Sequence, residues 1–582
     1  MTTWNLKQFY SSPKDPKIER DVQAIEKLYA DFEKKYKNNK KYLTDEKELL
    51  RALNDWDKLI GAACSWRPIM YLQYCKSLDS SDPVVESLDN KLTQRLTQSA
   101  NKIIFFNLNL SKIDEAAQKK FLKSGMLKEF HYYLDTQFKE GKHTLSEAEE
   151  KILNLKSLPA QQMWVDGQEK LLAKQTVSYG GKNIPIPEAM GMLSELPTSK
   201  RRKLYNDVML VLKGISHFAE SELNAVYTDK KIEDELRGHA EPYSGTILRY
   251  QNDTKTVLGL IDTVTRNFKI SHKFYKLKAK MMKLPHLECV DKSASIGKTI
   301  KKIPFDQATQ ITHKAFQKLD PKYADMFQRF LKNGQIDAFP KKGKRGGAFC
   351  SGSIGNPTMV FLNHTDNINS VMTLGHEMGH AFHFEASKAQ RPIYQDFTIS
   401  VAEVVSTLFE NFVFEELLQD MTEKEKVIAL HDKIIGSIST VFRQIAAFNW
   451  ELELHRTVRE KGAISKEEIA KLHNKHMSSY LGPAFKMKED DGYTFVQWPH
   501  LRYNFYVYSY AYGELISMAL YRKYKRDTSF LKQIEDFLVA GSSKSPEQIF
   551  RDIGIDTSDP NFWIEGLTQI EDDIKQLEKL TK

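Results

Sequence analysis

Cysteine is scarce in this chain. Cys64, Cys75, Cys289 and Cys350 are the only four in 582 residues, and no two form a Cys-x-x-Cys pair. A disulfide framework is excluded, and a reducing compartment is expected. Glycine and proline are also few, 28 and 19, against 41% hydrophobic and 28% charged residues, which rules out fibrous and disordered chains. Long apolar runs are missing too. The strongest, Ile103-Ile104-Phe105-Phe106, is far short of the ~20 residues that span a bilayer. The opening Met-Thr-Thr-Trp-Asn-Leu-Lys lacks the basic patch and apolar stretch of a secretory signal, so the expected location is the cytoplasm, with no membrane partner. The excess of one charge is small as well: 85 Lys and Arg against 76 Asp and Glu give +9. Its basic clusters, such as Lys341-Lys342-Gly343-Lys344-Arg345, are not interleaved with regular aromatics, and no nucleic-acid partner is expected.

What is present is mostly amphipathic helix. Between residues 18 and 36, Val22, Ile25, Leu28, Tyr29 and Phe32 recur at three- and four-residue steps, and similar stripes return over 50–59, 88–110 and 256–274. The fold is predicted to be mainly α. Turn-forming residues concentrate at 179–187, which suggests an N-terminal helical region, 1–195, followed by a second region, 196–582. One short β element is predicted at Thr358-Met359-Val360-Phe361-Leu362-Asn363, after the glycine-rich stretch 343–355. That stretch lacks Gly-Lys-Ser/Thr and leads into a strand, so it is no phosphate cradle.

The helix predicted over 370–387 contains His376-Glu377-Met378-Gly379-His380. At 100° per residue the two histidines project one turn apart from nearly one face, so both imidazoles can hold a single Zn²⁺. With 16 His in the chain, about 0.03 chance matches to His-Glu-x-x-His are expected, so the motif carries information. Glu377 lies beside the pair, placed to take a proton from an attacking water. A catalytic zinc needs a third protein ligand. In the next apolar helix, Glu403 is flanked by Val and Ala, where a carboxylate is costly unless paired, and it is the expected third ligand. Glu410, seven residues on, could accept a hydrogen bond from the second nitrogen of a ligating histidine or could be a structural acid. His383 is read as core or as support behind the site.

A third constellation runs from Trp498 to Gly513. Projected as one helix, His500, Tyr503, Tyr506 and Tyr510 share a face, with Phe505, Tyr508 and Tyr512 opposite. Such hydroxyls and an imidazole suit the oxyanion of a tetrahedral intermediate, while an aromatic core helix is the plain alternative. Substrate backbone is expected to add to the edge of the 358–363 strand.

These three segments together resemble the oligoendopeptidase F branch of the thimet oligopeptidase family. The likeness rests on His376-Glu377-Met378-Gly379-His380, on Ser400-Val401-Ala402-Glu403-Val404-Val405-Ser406-Thr407, and on Pro499-His500 leading into Tyr503-Asn504-Phe505-Tyr506-Val507-Tyr508. Val404-Val405 after the glutamate, where the thimet branch usually has Pro-Ser, favours the F branch. The resemblance implies a large helical zincin-like metallopeptidase with a deep channel admitting short unstructured oligopeptides. It implies one Zn²⁺ per chain held by His376, His380 and Glu403, with Glu377 as base. His500, Tyr503 and Tyr510 match its transition-state-stabilising histidine and tyrosines. A carboxypeptidase, which would need a cation such as Arg502 or Arg345 for the substrate terminus, is the competing enzyme reading. A silent zinc-stabilised scaffold is another, and it would have no use for Glu377.

Overall fold

Asp15 starts the first long helix of the computed structural model, which describes residues 2–63, 66–297 and 302–582. Its carboxylate accepts the Lys17 backbone N–H and Pro16 takes the first helical position, so the helix Pro16–Tyr36 is fixed at the end where its donors lack partners. Ile18, Val22, Ile25, Tyr29, Phe32 and Tyr36 form its buried face, while Leu28 lies outside the stripe, 36% exposed. Phe32, Tyr36, Trp56 and Phe106 meet at ring-centroid distances of 4.8–6.3 Å, an aromatic centre for the surrounding helices. The stripe over 88–110 is not one helix: it ends at Pro83–Ala100 and resumes at Phe105–Ser111. The stripe over 256–274 likewise divides into Thr254–Arg266 and Lys269–Met281.

The chain forms two compact units. The first comprises Met1–Lys142, Lys301–Asp420 and Lys523–Ile555, and the second His143–Ile300, Met421–Arg522 and Asp556–Lys582. Position 195 thus falls inside the second unit. The turn-forming segment lies there in a hairpin, Thr176–Tyr179 with Lys182–Pro185, whose turn residues Gly180 and Gly181 both have positive φ, and in the helix that starts at Ile186.

In the first unit a three-stranded sheet lies against the helices. Met359–Phe361 is its central strand, parallel to Ile336–Asp337 and antiparallel to Phe349–Ser351. The predicted strand is therefore real but shorter, and both of its edges are occupied. Of the two outer strands, Ile336–Asp337 is bordered by the N-terminal segment, with the Ala338 N–H donating to the Thr2 carbonyl at 2.9 Å, so among the described residues the free edge is that of Phe349–Ser351. Lys344 fastens the sheet, its buried ammonium paired with Asp337 at 2.6 Å and donating to the Phe339 carbonyl. Trp4 ties on the N-terminal segment, donating from Nε1 to the Val360 carbonyl at 2.8 Å.

The second unit is built on the 40-residue helix Thr198–Arg237, on Gln444–Lys461 and on residues 508–522 of the helix Tyr508–Arg526. Its interior holds ion pairs, Arg201 with Asp291 at 2.8 Å and Arg502 with Glu222 at 2.6 Å, each almost fully buried. Breaking such a pair typically costs ~3–5 kcal/mol because the surviving charge is stranded. Cys75, Cys289 and Cys350 are free thiols; Cys64 lies outside the described residues.

Candidate active site

Asn367 caps the helix that carries the histidine motif, Ile368–Ser387, accepting the Ser370 backbone N–H at 2.9 Å. The next helix, Ile399–Gln419, packs along it at unusually short range because Gly375 and Gly379 sit four residues apart on the contact face. A Cβ on Gly379 would stand 2.7 Å from the Ser406 Cα and 3.0 Å from the Val405 carbonyl oxygen. One on Gly375 would stand 2.9 Å from a Val413 methyl. Helical spacing does not reveal this approach, but a glycine inside a helix costs ~1 kcal/mol against alanine and so asks for a packing reason.

The close approach brings Glu403 opposite the histidines. Its carboxylate lies 3.6 Å from His376 Nε2 and 3.9 Å from His380 Nε2, and one ligand atom from each residue falls within 4.8 Å of the others. Tetrahedral zinc with bonds of ~2.0–2.2 Å separates its ligands by ~3.3–3.5 Å, so a small contraction seats the ion. His376 Nδ1 lies 3.1 Å from Glu410. Donating there fixes the tautomer and leaves the Nε2 lone pair directed at the cluster. Two neutral imidazoles and a carboxylate are the donor set zinc prefers, and the residues fit the ion.

The protein's own charges bias the site toward a cation. Burial pulls the His376 pKa down, but the hydrogen bond and charge of Glu410, with Glu377 and Glu403, outweigh it and raise it to about 9. Burial, then the neighbouring His376 and His383, depress His380 to about 3. Glu377 is buried and pushed up to about 7, chiefly by desolvation; Glu403 and Glu410 add to this, while His376 and the Cys350 backbone N–H oppose it. That N–H belongs to the free-edge strand, so Glu377 faces it directly. His383 lies in the core, stacked on Phe397 at 3.7 Å, and burial depresses it to about 3.

His500 and the tyrosines are gathered in the second unit, but not by one helix. Pro499–Arg502 is a single 3-10 turn, Asn504 and Phe505 both adopt left-handed backbone (φ 46° and 62°), and the helix begins only at Tyr508. A non-glycine left-handed pair is costly and needs outside support. Buried Glu451 accepts the Phe505 N–H at 2.8 Å, Thr246 Oγ1 donates to the Asn504 carbonyl at 2.7 Å, and Glu222 clamps Arg502. Across this bend Tyr506 Oη lies 2.9 Å from His500 Nδ1, and the Tyr510 ring stacks on His500 at 5.9 Å. Tyr503 is 53% exposed, its ring 6.1 Å from that of Tyr506. Tyr508 is turned away, fully buried and donating to Asn252 at 2.9 Å. Burial, then the charge of Arg443, depresses His500 to about 4, so it is neutral at pH 7. Arg502, committed to Glu222 and to three carbonyls, is unavailable for a substrate carboxylate. Arg345 is exposed, over the Phe349 ring.

The chain is similar along its length to known peptidases. It is 24% identical over 595 residues to oligopeptidase PepF of Bacillus subtilis, covering 99% of this chain and 87% of that protein. To an oligoendopeptidase F homolog of Lactococcus lactis it is 21% identical, covering 100% and 97%. A candidate peptidase from Chlamydophila abortus shares its fold with a TM-score of 0.87 at 21% identity, covering 100% and 98% of the two chains. Oligoendopeptidase-F from Enterococcus faecium does so with a TM-score of 0.69 at 17% identity, covering 97% and 99%. The sequence profile described as oligopeptidase F matches residues 109–174. The profile of peptidase family M3 matches 200–569, a span that takes in the histidine motif, Glu403 and the His500–Tyr510 bend alike, and this metallopeptidase chain belongs to that family.

Proposed function

We propose that the protein is a zinc-dependent endopeptidase that hydrolyses short unstructured oligopeptides in the cytoplasm. Residues 196–582 supply the catalytic part and 1–195 an N-terminal helical region. The observation that carries the reading is the convergence of His376, His380 and Glu403 with buried Glu377 beside them. Among the described residues, no helix is long and apolar enough to cross a membrane.

His376, His380 and Glu403 would hold one Zn²⁺, with Glu410 orienting His376. Bound zinc supplies Lewis acidity, polarising a carbonyl and lowering the pKa of water. Glu377, buried beside the ligands, takes a proton from the attacking water and returns it to the leaving nitrogen as the C–N bond breaks. Water is consumed and a carboxylate and an amine are released. The substrate backbone adds to the free edge Phe349–Ser351, whose Cys350 N–H already faces Glu377. Main-chain pairing ignores side chains, which makes sequence preference broad. The resemblance assigns oxyanion donation to His500 and Tyr510; within the second unit Tyr506 fixes the imidazole, and Tyr503 is exposed.

Metal analysis together with cleavage of an internally quenched peptide blocked at both ends tests this. One zinc per chain and internal cleavage are expected. Cleavage only of peptides with a free terminus would favour a carboxypeptidase, and zinc without any cleavage a silent scaffold.

A further inference from the structure

Among the described residues, Arg443 and Lys292 are not ion-paired with any carboxylate. Both line a cavity of about 240 Å³ in the second unit, together with His473, Gln497, Trp498 and His500. No aspartate or glutamate lines it. Among the described residues neither cation has a carboxylate oxygen within ion-pair distance. Arg443 makes one long hydrogen bond, Nε to the Ser439 carbonyl at 3.4 Å, and lies over the Trp498 ring at 5.6 Å. Lys292 Nζ reaches only the carbonyl and sulfur of Cys289, at 3.3 and 3.4 Å. Asp491, which feels the charge of Lys292, accepts the Lys488 backbone N–H instead.

Other half-buried or buried arginines of this unit are neutralised: Arg202 by Asp291, Arg237 by Glu150, Arg502 by Glu222. Two unneutralised cations facing one half-open cavity raise its potential and favour an anion there. Their field reaches the neighbouring rings. After burial, Arg443 is what holds His500 near 4, and Lys292 helps depress His473 to about 4.

The geometry points to this cavity as a carboxylate-binding subsite for substrate, beside His500. Resting on the peptidase reading above, the subsite would seat a carboxylate of the peptide while an adjacent carbonyl meets His500. Arg443 supplies a planar fork that matches a carboxylate, and Lys292 a point charge. The carboxylate could come from the peptide's C-terminus or from an acidic side chain.

Three quenched peptides of one sequence separate these sources: free C-terminus, amidated C-terminus, and amidated with a glutamate following the cleaved bond. The wild-type protein should show kcat/KM about tenfold or more higher for at least one carboxylate-bearing peptide than for the neutral amide. Whichever peptide is favoured names the source. Arg443→Gln and Lys292→Met should each cut that ratio at least ~3-fold, and Arg443→Lys should retain more of it than Arg443→Gln. Equal wild-type rates on all three peptides, or an unchanged ratio in both variants, would overturn the subsite while leaving peptidase activity intact. If Arg443→Gln fails to fold by circular dichroism, Lys292→Met decides. If no peptide is cut, the peptidase reading fails first, and calorimetric titration of the three peptides into the full chain then decides by binding. Equal Kd values would overturn the subsite, and a tenfold spread favouring the carboxylates would uphold it.

Discussion

His376, His380 and Glu403 sit on two uninterrupted helices, whereas His500, Tyr506 and Tyr510 are gathered across a break in the backbone. In the first unit the periodicity of the helix places the histidines, and two glycines set how near the glutamate comes. In the second, consecutive left-handed residues turn the chain, and buried acids on other elements hold the turn. Regular structure positions side chains by spacing, and irregular structure does so by hydrogen bonds from outside the segment. The first arrangement should therefore fail through its own residues, and the second also through residues that never touch a substrate.

The sharpest break is expected at Glu403. Glu403→Ala should lose zinc and with it nearly all activity, and metal analysis showing unchanged zinc would exclude this ligand. Glu377→Gln should keep zinc but lose ~10²- to 10⁴-fold in kcat, because the base goes while the ligands stay. Near-normal turnover of that variant with metal bound would defeat the mechanism. In the second unit, Tyr510→Phe should cost ~10²- to 10³-fold in kcat with little change in KM. Tyr508→Phe, whose hydroxyl is spent on Asn252, is the internal control and should cost far less in turnover. Exchange of those two outcomes would show that the bend presents the other face. Glu410→Gln is a milder probe of the first unit: metal affinity should weaken ~10- to 100-fold, read by competition with a chelator.

The smallest effect tests how the bend is held. Burial pushes Glu451 up to about 8 in the folded chain, against ~4.3 when unfolded. Between those values the folded state binds the extra proton, so this group's contribution to stability falls as pH rises from ~4.3 to about 8 and levels off above. Urea midpoints measured at pH 5 and pH 8 should fall less in Glu451→Gln than in the wild type. An identical pH slope in both proteins would show that Glu451 is not the titrating support.

Much of the first unit's site was readable in advance. The motif's spacing fixes two imidazoles on one face, and an acid in the apolar run Val401-Ala402-Glu403-Val404-Val405 has few reasons to be there. Even Glu410 could be placed, since seven residues on a helix return to the same side. The apolar run 358–363 marks a strand but not its neighbours, so the sequence points to it as the edge, whereas it is the central strand and the outer one, Phe349–Ser351, is too short to announce itself. The aromatics of 498–513 fit a helical period although the segment is not one helix, and Asn504-Phe505 carries no glycine to signal left-handed backbone. Its supports, Glu222, Thr246 and Glu451, are distant in sequence, and no local pattern could name them. Arg502 cannot be placed from the sequence for the same reason, since its partner Glu222 lies 280 residues away.

Gly375 and Gly379 set a condition on engineering this chain. Replacing a mid-helix glycine by alanine is an ordinary stabilising substitution, worth up to ~1 kcal/mol where there is room. Here the added methyl at Gly379 would meet main-chain atoms of the facing helix, which cannot rotate aside, and at Gly375 it would meet the β-branched side chain of Val413, which is stiff about its first torsion. The helices would have to part by a fraction of an ångström, and the candidate ligands are divided between them, two on one and one on the other. A thermostability screen would therefore be expected to recover alanine at neither position, and selection for metal retention to reject it even where the fold tolerates it.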